Sequence, residues 1–277
     1  MKALKRTLTL LLTAAVMTAA IPFAALATGE PATLAEEATE STEQIGISTA
    51  AEFLAMESGK SYYLENDIDF EGNTYVTLVA TFNGSLDGRG HVLKNFKLEN
   101  ETTTTDRHLG VFGKVCSGSF TIVKNLTIGT AENPISMTNN IKNASADDRN
   151  WHGFLVAEMP DANYIGQFEN ITVYGAYTNN GSVGKFYSGG IVGYAMKLVM
   201  ADCTMNGTLT VTSESAAELN LGGPVGLVQT NNNRQNVMKN CTNNATVSVP
   251  SVSGARAGGL IAFSGSPLKV ENCTNTG

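Results

Sequence analysis

The sequence has only one long hydrophobic run, and nothing after it could cross a membrane. The run spans residues 8–20 and precedes Ala25-Leu-Ala27, whose small side chains suit a cleavage site. It is shorter than the ~20 residues that a membrane-spanning helix needs, and no cysteine follows it closely enough for a lipid anchor. We therefore predict a signal peptide at residues 1–27, with secretion to the medium or the cell surface and no membrane insertion after cleavage.

Positive charge is also scarce. The formal net charge is −7, and cleavage would remove Lys2, Lys5 and Arg6 but no acid, which leaves −10. An acidic surface repels phosphate backbones and anionic lipids. The composition therefore argues against nucleic acid as a partner and is compatible with an exported protein.

Motifs for metals, phosphates and cofactors are missing as well. The four cysteines are not arranged as ligand pairs a few residues apart, which a cysteine-only metal site needs. The Gly-Gly pairs are not followed by Gly-Lys-Ser or Gly-Lys-Thr, so they do not form a phosphate-binding loop. Asp67 and Asp69 are interpreted as turn residues, because Ca²⁺ takes about six or more oxygen ligands. We predict neither a metal nor a cofactor.

The segment after the predicted cleavage site is not expected to fold. Residues 28–46 are rich in Glu, Thr, Ala and Ser and almost free of large apolar side chains, so we predict a flexible acidic linker. Order is expected to begin near Ile47. Thr49 and Glu52 have the spacing of a capping box, which predicts a short helix over residues 49–58 that closes the end of a solenoid.

The rest of the chain repeats one unit. An apolar run with glycines, such as Gly222-Gly-Pro-Val-Gly-Leu-Val228, leads to a second short run with Asn or Asp near its centre. Six of these polar residues are separated by 30, 45, 32, 38 and 32 positions: Asn95, Asn125, Asn170, Asp202, Asn240 and Asn272. A period of roughly 20–50 residues predicts a solenoid or propeller. Short β-branched runs without a helical pattern favour a stacked parallel β-solenoid.

Several motifs, in this order, resemble those of bacterial exported proteins. They are Ile-Ser-Thr-Ala-Ala-Glu-Phe-Leu at 47–54, Tyr-Leu-Glu-Asn-Asp-Ile-Asp at 63–69, Phe-Asn-Gly-Ser-Leu-Asp-Gly-Arg-Gly-His at 82–91, and the Gly-x-x-Gly and Asn-Cys repeats. Proteins of this kind carry GLUG-type repeats on a right-handed parallel β-helix of the pectin-lyase-like shape. The resemblance covers about residues 47–277 and implies this fold, with a last coil that looks incomplete. It implies no single activity, because such repeats occur in adhesins and in protease-associated surface proteins.

Cysteines share one position of the repeat with large apolar residues. The residue after the polar position is Phe96, Leu126, Ile171, Cys203, Cys241 or Cys273. Cysteine in such a place behaves as a small buried hydrophobe. Stacked strands keep equivalent side chains ~4.8 Å apart, whereas a disulfide prefers a Cβ separation near ~3.8 Å. We predict free stacked thiols, with a disulfide as the alternative, and Cys116 as a lone buried thiol. The polar column is expected to hydrogen-bond along the stack.

Charged clusters hold all three histidines and the single tryptophan. The clusters are Asp87, Arg89 and His91; Asp106, Arg107 and His108; and Asp147, Asp148, Arg149, Trp151 and His152. The last two end the longest insertions, residues 99–108 and 129–152, and each precedes a Gly-containing strand. The insertions are therefore expected on the same side of neighbouring coils, where solenoids commonly carry function.

The third cluster is the predicted ligand-binding site. We expect Trp151 to lose water on binding, with Asp147, Asp148, Arg149 and His152 around it. An aromatic ring beside carboxylates suits a sugar, and two carboxylates could act as acid and base on a glycosidic bond. The alternative is that Trp151 packs over the coil edge and the acids are merely solvated.

Taken with the signal peptide, these features predict a secreted or cell-surface scaffold for binding and adhesion. Its partner would be an extracellular glycan or a host or cell-surface protein. One alternative is a polysaccharide-active lyase or glycoside hydrolase. We favour it less, and name no catalytic residue, because no set of calcium-binding carboxylates with a basic residue is visible. The other alternative is a purely structural spacer.

Overall fold

The computed structural model describes residues 43–101, 106–143, 145–213, 216–229, 236–250 and 253–277. These residues form a parallel β-helix of about 5 turns, here called coils, so the predicted all-β solenoid is confirmed. The predicted signal peptide and residues 28–42 of the predicted linker lie outside the described residues. Within the described ranges, no helix has the length and apolar character needed to cross a membrane.

Fifteen strands form the first sheet, and their pairings are parallel. They are β1 (Gln44–Ile47), β2 (Lys60–Leu64), β3 (Ile68–Tyr75), β5 (Gly84–Asp87), β6 (Val92–Asn100), β8 (Thr121–Ile128), β9 (Ile135–Asn139), β12 (Gly166–Asn179), β15 (Leu198–Ala201), β16 (Thr204–Val211), β19 (Asn236–Lys239), β20 (Thr242–Asn243), β21 (Thr246–Ser248), β24 (Leu268–Glu271) and β25 (Thr274–Asn275).

Ten strands form the second sheet, again with parallel pairing. They are β4 (Thr77–Phe82), β7 (His108–Val115), β10 (Arg149–Gly153), β11 (Val156–Met159), β13 (Lys185–Gly189), β14 (Val192–Ala195), β17 (Glu218–Gly222), β18 (Val225–Val228), β22 (Ala255–Gly258) and β23 (Ile261–Ser264). This sheet carries the residues of interest for function.

The helix α1 (Ala50–Leu54) closes the first coil, as predicted, but is shorter than the predicted residues 49–58. Its capping box is present: Glu52 N donates to Thr49 Oγ1 at 3.2 Å, and Thr49 N donates to Glu52 Oε2 at 3.0 Å. Phe53 is fully buried and its ring lies 5.7 Å from that of Phe70, so the helix supplies the apolar lid that an open solenoid end needs. The strand β1 lies three residues before the predicted start of order at Ile47 and overlaps the end of the predicted linker, because it pairs with β2.

A column of polar side chains marks one corner of the stack. Asn125, Asn170, Asp202, Asn240 and Asn272 all have positive φ, and most are joined by side-chain hydrogen bonds, such as Asn170 Nδ2 to Asn125 Oδ1 at 3.0 Å. Asparagine and aspartate tolerate this left-handed backbone better than other non-glycine residues do. The predicted ladder is therefore confirmed for these five residues.

The prediction is wrong for Asn95, the sixth residue of the predicted column. Asp87 pairs with Lys124, and Gly90 N donates to Asn125 O, so the turn around Arg89 lies next to Asn125. Asn95 belongs to another corner, where its side chain donates to Asp69 Oδ1 at 2.8 Å. The prediction failed because the residues around Asn95 resemble those around Asn125, and sequence spacing alone cannot show that the two lie at different corners.

The cysteines are free and stacked in the core as predicted. Cys203 and Cys241 are fully buried, Cys273 is half-buried, and Cys116 is buried away from them. Burial raises the pKa of Cys116 to about 12, so this thiol stays protonated at neutral pH. The structure thus bears out the thiol prediction over the disulfide alternative.

Candidate binding site

Two columns of outward side chains meet along the second sheet. The first column is formed by register partners on β7, β10, β13, β17 and β22: His108, Trp151, Tyr187, Asn220 and Arg256. The second is formed by register partners on β7, β11, β14, β18 and β23: Lys114, Glu158, Tyr194, Leu227 and Phe263. We call this set of ten residues the seam. Glu158, Tyr187, Asn220 and Leu227 are buried within it, and the other six reach the surface.

The two columns face each other because the chain bends sharply between them. A Cβ on Gly153 would lie 2.6 Å from Gly193 N and 2.8 Å from Ile191 O, so a larger residue could not occupy the bend. Gly189, Gly222 and Gly258 end their strands at the equivalent place. The Gly-Gly pairs of the sequence therefore lie at the bend between two strands, where backbones approach closely.

Contacts across the seam recur from coil to coil. His108 Nε2 lies 3.0 Å from Glu158 Oε2. The rings of Tyr187 and Tyr194 are 5.9 Å apart, and the guanidinium of Arg256 lies 4.4 Å from the ring centroid of Phe263. The Tyr187–Tyr194 and Arg256–Phe263 contacts each join the two columns within one coil, whereas the His108–Glu158 contact joins neighbouring coils. The chemistry changes along the stack from charged to aromatic.

His108 is held between two carboxylates. Its Nδ1 lies 2.9 Å from Asp106 Oδ1 and its Nε2 lies 3.0 Å from Glu158 Oε2. Burial lowers the pKa of His108, but the hydrogen bonds from Asp106 and Glu158 outweigh it and the net shift is upward. The same bond to His108 lowers the pKa of Asp106. The three groups therefore favour an imidazolium with both ring N–H groups donated to carboxylates.

Trp151 stacks on that imidazole. The two rings lie 4.8 Å apart and are tilted by only 8°. The backbone fixes the pair, because Trp151 N donates to Arg107 O at 2.9 Å and Trp151 is in register with His108. Trp151 remains partly exposed on the outer surface, which leaves part of its ring for contact with another molecule.

The two aspartates before β10 form ion pairs that hold the insertion of residues 129–152 in place. Asp147 Oδ1 lies 3.0 Å from Lys185 Nζ, with the Asp147 side chain 90% exposed. Asp148 Oδ1 lies 3.1 Å from the guanidinium of Arg107. Arg107 also donates to Asn143 Oδ1 at 2.8 Å. These bonds join the two insertions directly, which confirms that they lie on the same side of neighbouring coils.

His152 does not lie on the outer surface, so its predicted place in the binding site is wrong. It is fully buried, since alternate residues of a strand point to opposite faces and Trp151 takes the outer one. Its Nδ1 lies 2.7 Å from Tyr177 Oη and 3.2 Å from Ser188 Oγ. Burial lowers the pKa of His152 to about 3, so this imidazole is neutral and inaccessible to a ligand.

The remaining cluster of the sequence lies elsewhere. Arg89 packs over the ring of Tyr63 at 3.5 Å, and His91 Nδ1 lies 3.4 Å from Asp67 Oδ1, both at the corner of the first sheet. Asp67 and Asp69 accept hydrogen bonds from Val92 N and Glu71 N, as turn residues do. Across the described ranges, no group of three or more His, Cys, Asp or Glu residues could hold a metal ion.

Sequence reasoning missed most of the seam. Only His108 and Trp151 of its ten residues were singled out, and Tyr187, Tyr194, Glu158 and Lys114 were among those missed. A signal was present: Trp151 and Tyr187 each stand two residues before the glycine of the bend, while Glu158 and Tyr194 stand five residues after it. Aligning the repeats on that glycine, rather than on the Asn of the second half, would have shown both columns.

Comparison with known proteins identifies no family for this chain. No family model matches the chain, and no curated protein gives a significant match. A candidate immunoglobulin A1 protease from Bacteroides ovatus is among the solved structures that align with it, at 17% identity and a TM-score of 0.48, over 83% of this chain and 74% of that one. At this identity and TM-score no argument about activity rests on the likeness.

Proposed function

We propose that the protein is an exported, cell-surface β-helix of the GLUG-repeat kind that serves as a binding and adhesion scaffold, with the seam as its contact surface. One observation carries the proposal. The interior holds a row of phenylalanines, including Phe112, Phe154 and Phe186, yet the only tryptophan lies on the outside. A large aromatic side chain placed outward, in a frame of charges, is typical of binding surfaces.

The proposed ligand is an extracellular glycan, with a surface protein as the other possible partner. Trp151 and Tyr194 are partly exposed and offer apolar ring surface on adjacent coils, Tyr187 supports Tyr194 from beneath the surface, and Asp106 and Lys114 add acceptors and donors nearby. Strand spacing repeats these groups about every 4.8 Å along the stack. A chain molecule with alternating apolar and polar faces would find complementary groups on successive coils.

A polysaccharide-active enzyme is the second candidate. In its favour, the carboxylates of Asp106 and Glu158 flank one site. Against it, both are bonded to His108, and both ring nitrogens of His108 are engaged in return. Acid–base chemistry on a glycosidic bond needs a carboxylic acid and a carboxylate that face the substrate. Here both carboxylates contact His108 instead. A spacer without a ligand is the third candidate.

Binding can be tested with the chain that lacks residues 1–27 on arrays of extracellular glycans and surface proteins. We expect at least one class of ligand to bind, and Trp151→Ala to abolish that binding while the protein stays folded. Tyr164→Ala is the matched control, because Tyr164 is also an exposed aromatic residue but lies outside the seam. Thermal melting of each variant checks the fold.

Three results would count against the proposal. Trp151→Ala could bind every ligand as well as the unaltered chain does, it could melt the coil, or the unaltered chain could bind nothing. Release of reducing ends or unsaturated sugars from the bound polysaccharide would favour the enzyme instead. Binding of surface proteins alone would keep the scaffold and replace the glycan.

A further inference from the structure

Arg149 stands apart from the other cations around the seam. Arg107 is paired with Asp148, Lys185 with Asp147 and Arg256 with Glu218, each at 3.0–3.1 Å. Lys114 lies 3.9 Å from Glu158. Arg149 is exposed, and within the described ranges it makes neither an ion pair nor a side-chain hydrogen bond. Its five N–H donors therefore face solvent.

The register makes this arrangement more unusual. Arg149 pairs directly with Lys185 on the next coil, so two cationic side chains leave adjacent strands on the same face. Like charges directly opposite each other are destabilising in a sheet. Asp147 compensates one of the two, and it is itself largely exposed. One positive charge remains without a counterpart among the residues that the structure describes.

The neighbours of Arg149 are the aromatic residues of the seam. It precedes Trp151 by two positions, so both side chains leave the same face of β10, about 7 Å apart along the strand.

We propose that Arg149, two residues before Trp151 on the same face of β10, forms an anion site on the seam for a carboxylate or sulfate group of the bound ligand. The planar guanidinium can meet either group with two parallel hydrogen bonds, which lysine cannot do. Trp151 would contact the apolar part of the same ligand. This inference rests on the proposed function and narrows its ligand to acidic glycans.

Tryptophan fluorescence provides the test, because the only tryptophan lies beside Arg149. The chain without residues 1–27 is titrated with sialyllactose, with sulfated lactose and with lactose, which share a neutral core and differ in the anionic group. We expect at least one of the two acidic sugars to bind at least about tenfold more tightly than lactose, and its affinity to fall as salt rises. Comparison of the two acidic sugars distinguishes a carboxylate from a sulfate.

Variants locate the effect. Arg149→Gln should weaken binding of the acidic sugar roughly tenfold to a hundredfold, the range for a hydrogen bond to a charged group, and should leave lactose unchanged. Arg149→Lys should recover only part of the loss. Lys97→Gln is the control, since Lys97 is exposed on β6 of the first sheet and carries the same charge.

The outcomes separate this inference from the proposed function. Equal binding of lactose and the acidic sugars, lost in Trp151→Ala but kept in Arg149→Gln, would overturn the anion site and leave the glycan scaffold intact. An equal loss in Arg149→Gln and Lys97→Gln would show a general charge effect and would also overturn it. No response to any of the three sugars would overturn the anion site and count against the glycan ligand as well.

Discussion

The outer and inner faces of β10 place two histidines in opposite environments. On the outer face, Trp151 stacks on His108, which two carboxylates hold and whose pKa is raised. On the inner face, His152 has only the neutral hydroxyls of Tyr177 and Ser188, and burial lowers its pKa to about 3. Both imidazoles are well fixed, but only the outer one is charged and close to solvent.

This difference separates the stabilising part of the solenoid from the part that can act on other molecules. Inside, His152 has a partner at Nδ1 but none at Nε2 among the described residues, and removal from water decides its pKa. Outside, the two carboxylates decide the pKa of His108, and they remain partly accessible. Ligand binding is therefore expected to depend on the outer face, and folding mainly on the inner one.

The largest effect is expected from a charge placed in the inner thiol stack. Cys241→Asp would bury an unpaired carboxylate between Cys203 and Cys273 and should prevent stable folding. Cys241→Val nearly conserves volume and should cost about 1 kcal/mol or less in the free energy of unfolding. Denaturant melts of the two variants check this. A folded Cys241→Asp protein with a normal melt would contradict the buried stack, as would a disulfide found by non-reducing mass spectrometry.

A smaller effect separates two aromatic residues on adjacent strands. Phe186 on β13 is fully buried, so Phe186→Ala should cost about 3–5 kcal/mol in the free energy of unfolding. Trp151→Ala removes a larger side chain from the outer face, and we expect it to cost less than half as much. Equilibrium unfolding of both variants gives the comparison. If Trp151→Ala were the more damaging change, Trp151 would be a packing residue and the division of faces would be wrong.

The inner histidine should weaken the fold in acid. The folded-state pKa of His152 is lowered from 6.5 to about 3, so the unfolded chain takes up a proton first and stability falls as pH drops from about 6.5 toward 3. The His152→Leu variant has no imidazole at this position, so its unfolded chain takes up no proton there. The stability of the unaltered chain relative to His152→Leu should therefore decrease in acid by up to about 1.4 kcal/mol per pH unit. A constant difference would show that His152 is not sealed from solvent.

The outer histidine should behave in the opposite sense, with a smaller amplitude. Its folded-state pKa is raised above 6.5, so its contribution is fully present below pH 6.5 and is lost as pH rises through the folded pKa. The advantage of the unaltered chain over His108→Gln should therefore shrink between neutral and alkaline pH. Because solvent screens this group, we expect about 1 kcal/mol or less. An advantage that grows with pH would contradict the imidazolium between Asp106 and Glu158.

The sequence was sufficient to predict the solenoid, the capping box and the thiol stack, because each depends on a local or strictly repeated pattern. Thr49 and Glu52 need only their spacing, and Cys203, Cys241 and Cys273 share one repeat position. The candidate site was predicted in part. Residues 147–152 were grouped by closeness in sequence, but a strand sends alternate side chains to opposite faces, so His152 was separated from Trp151.

Two further errors arose because the features concerned depend on how neighbouring coils contact each other. Asn95 was aligned with Asn125 because two corners of the coil use similar residues, and only strand register separates them. The partners of Trp151 across the seam, Glu158 and Tyr194, lie beyond a bend at glycine. Its sharpness depends on the close approach of Gly153 to Gly193, which a single unit of the repeat does not reveal.

Ligand binding at the outer face is the central claim, and the accessibility of Trp151 tests it most directly. Acrylamide quenching of the single tryptophan is measured in the chain that lacks residues 1–27, before and after saturation with a glycan or surface protein identified by the arrays. We predict ready quenching in the free protein and a clear fall in the quenching constant when the ligand is bound. An unchanged quenching constant with bound ligand would place the contact elsewhere on the solenoid and contradict the seam as the binding surface.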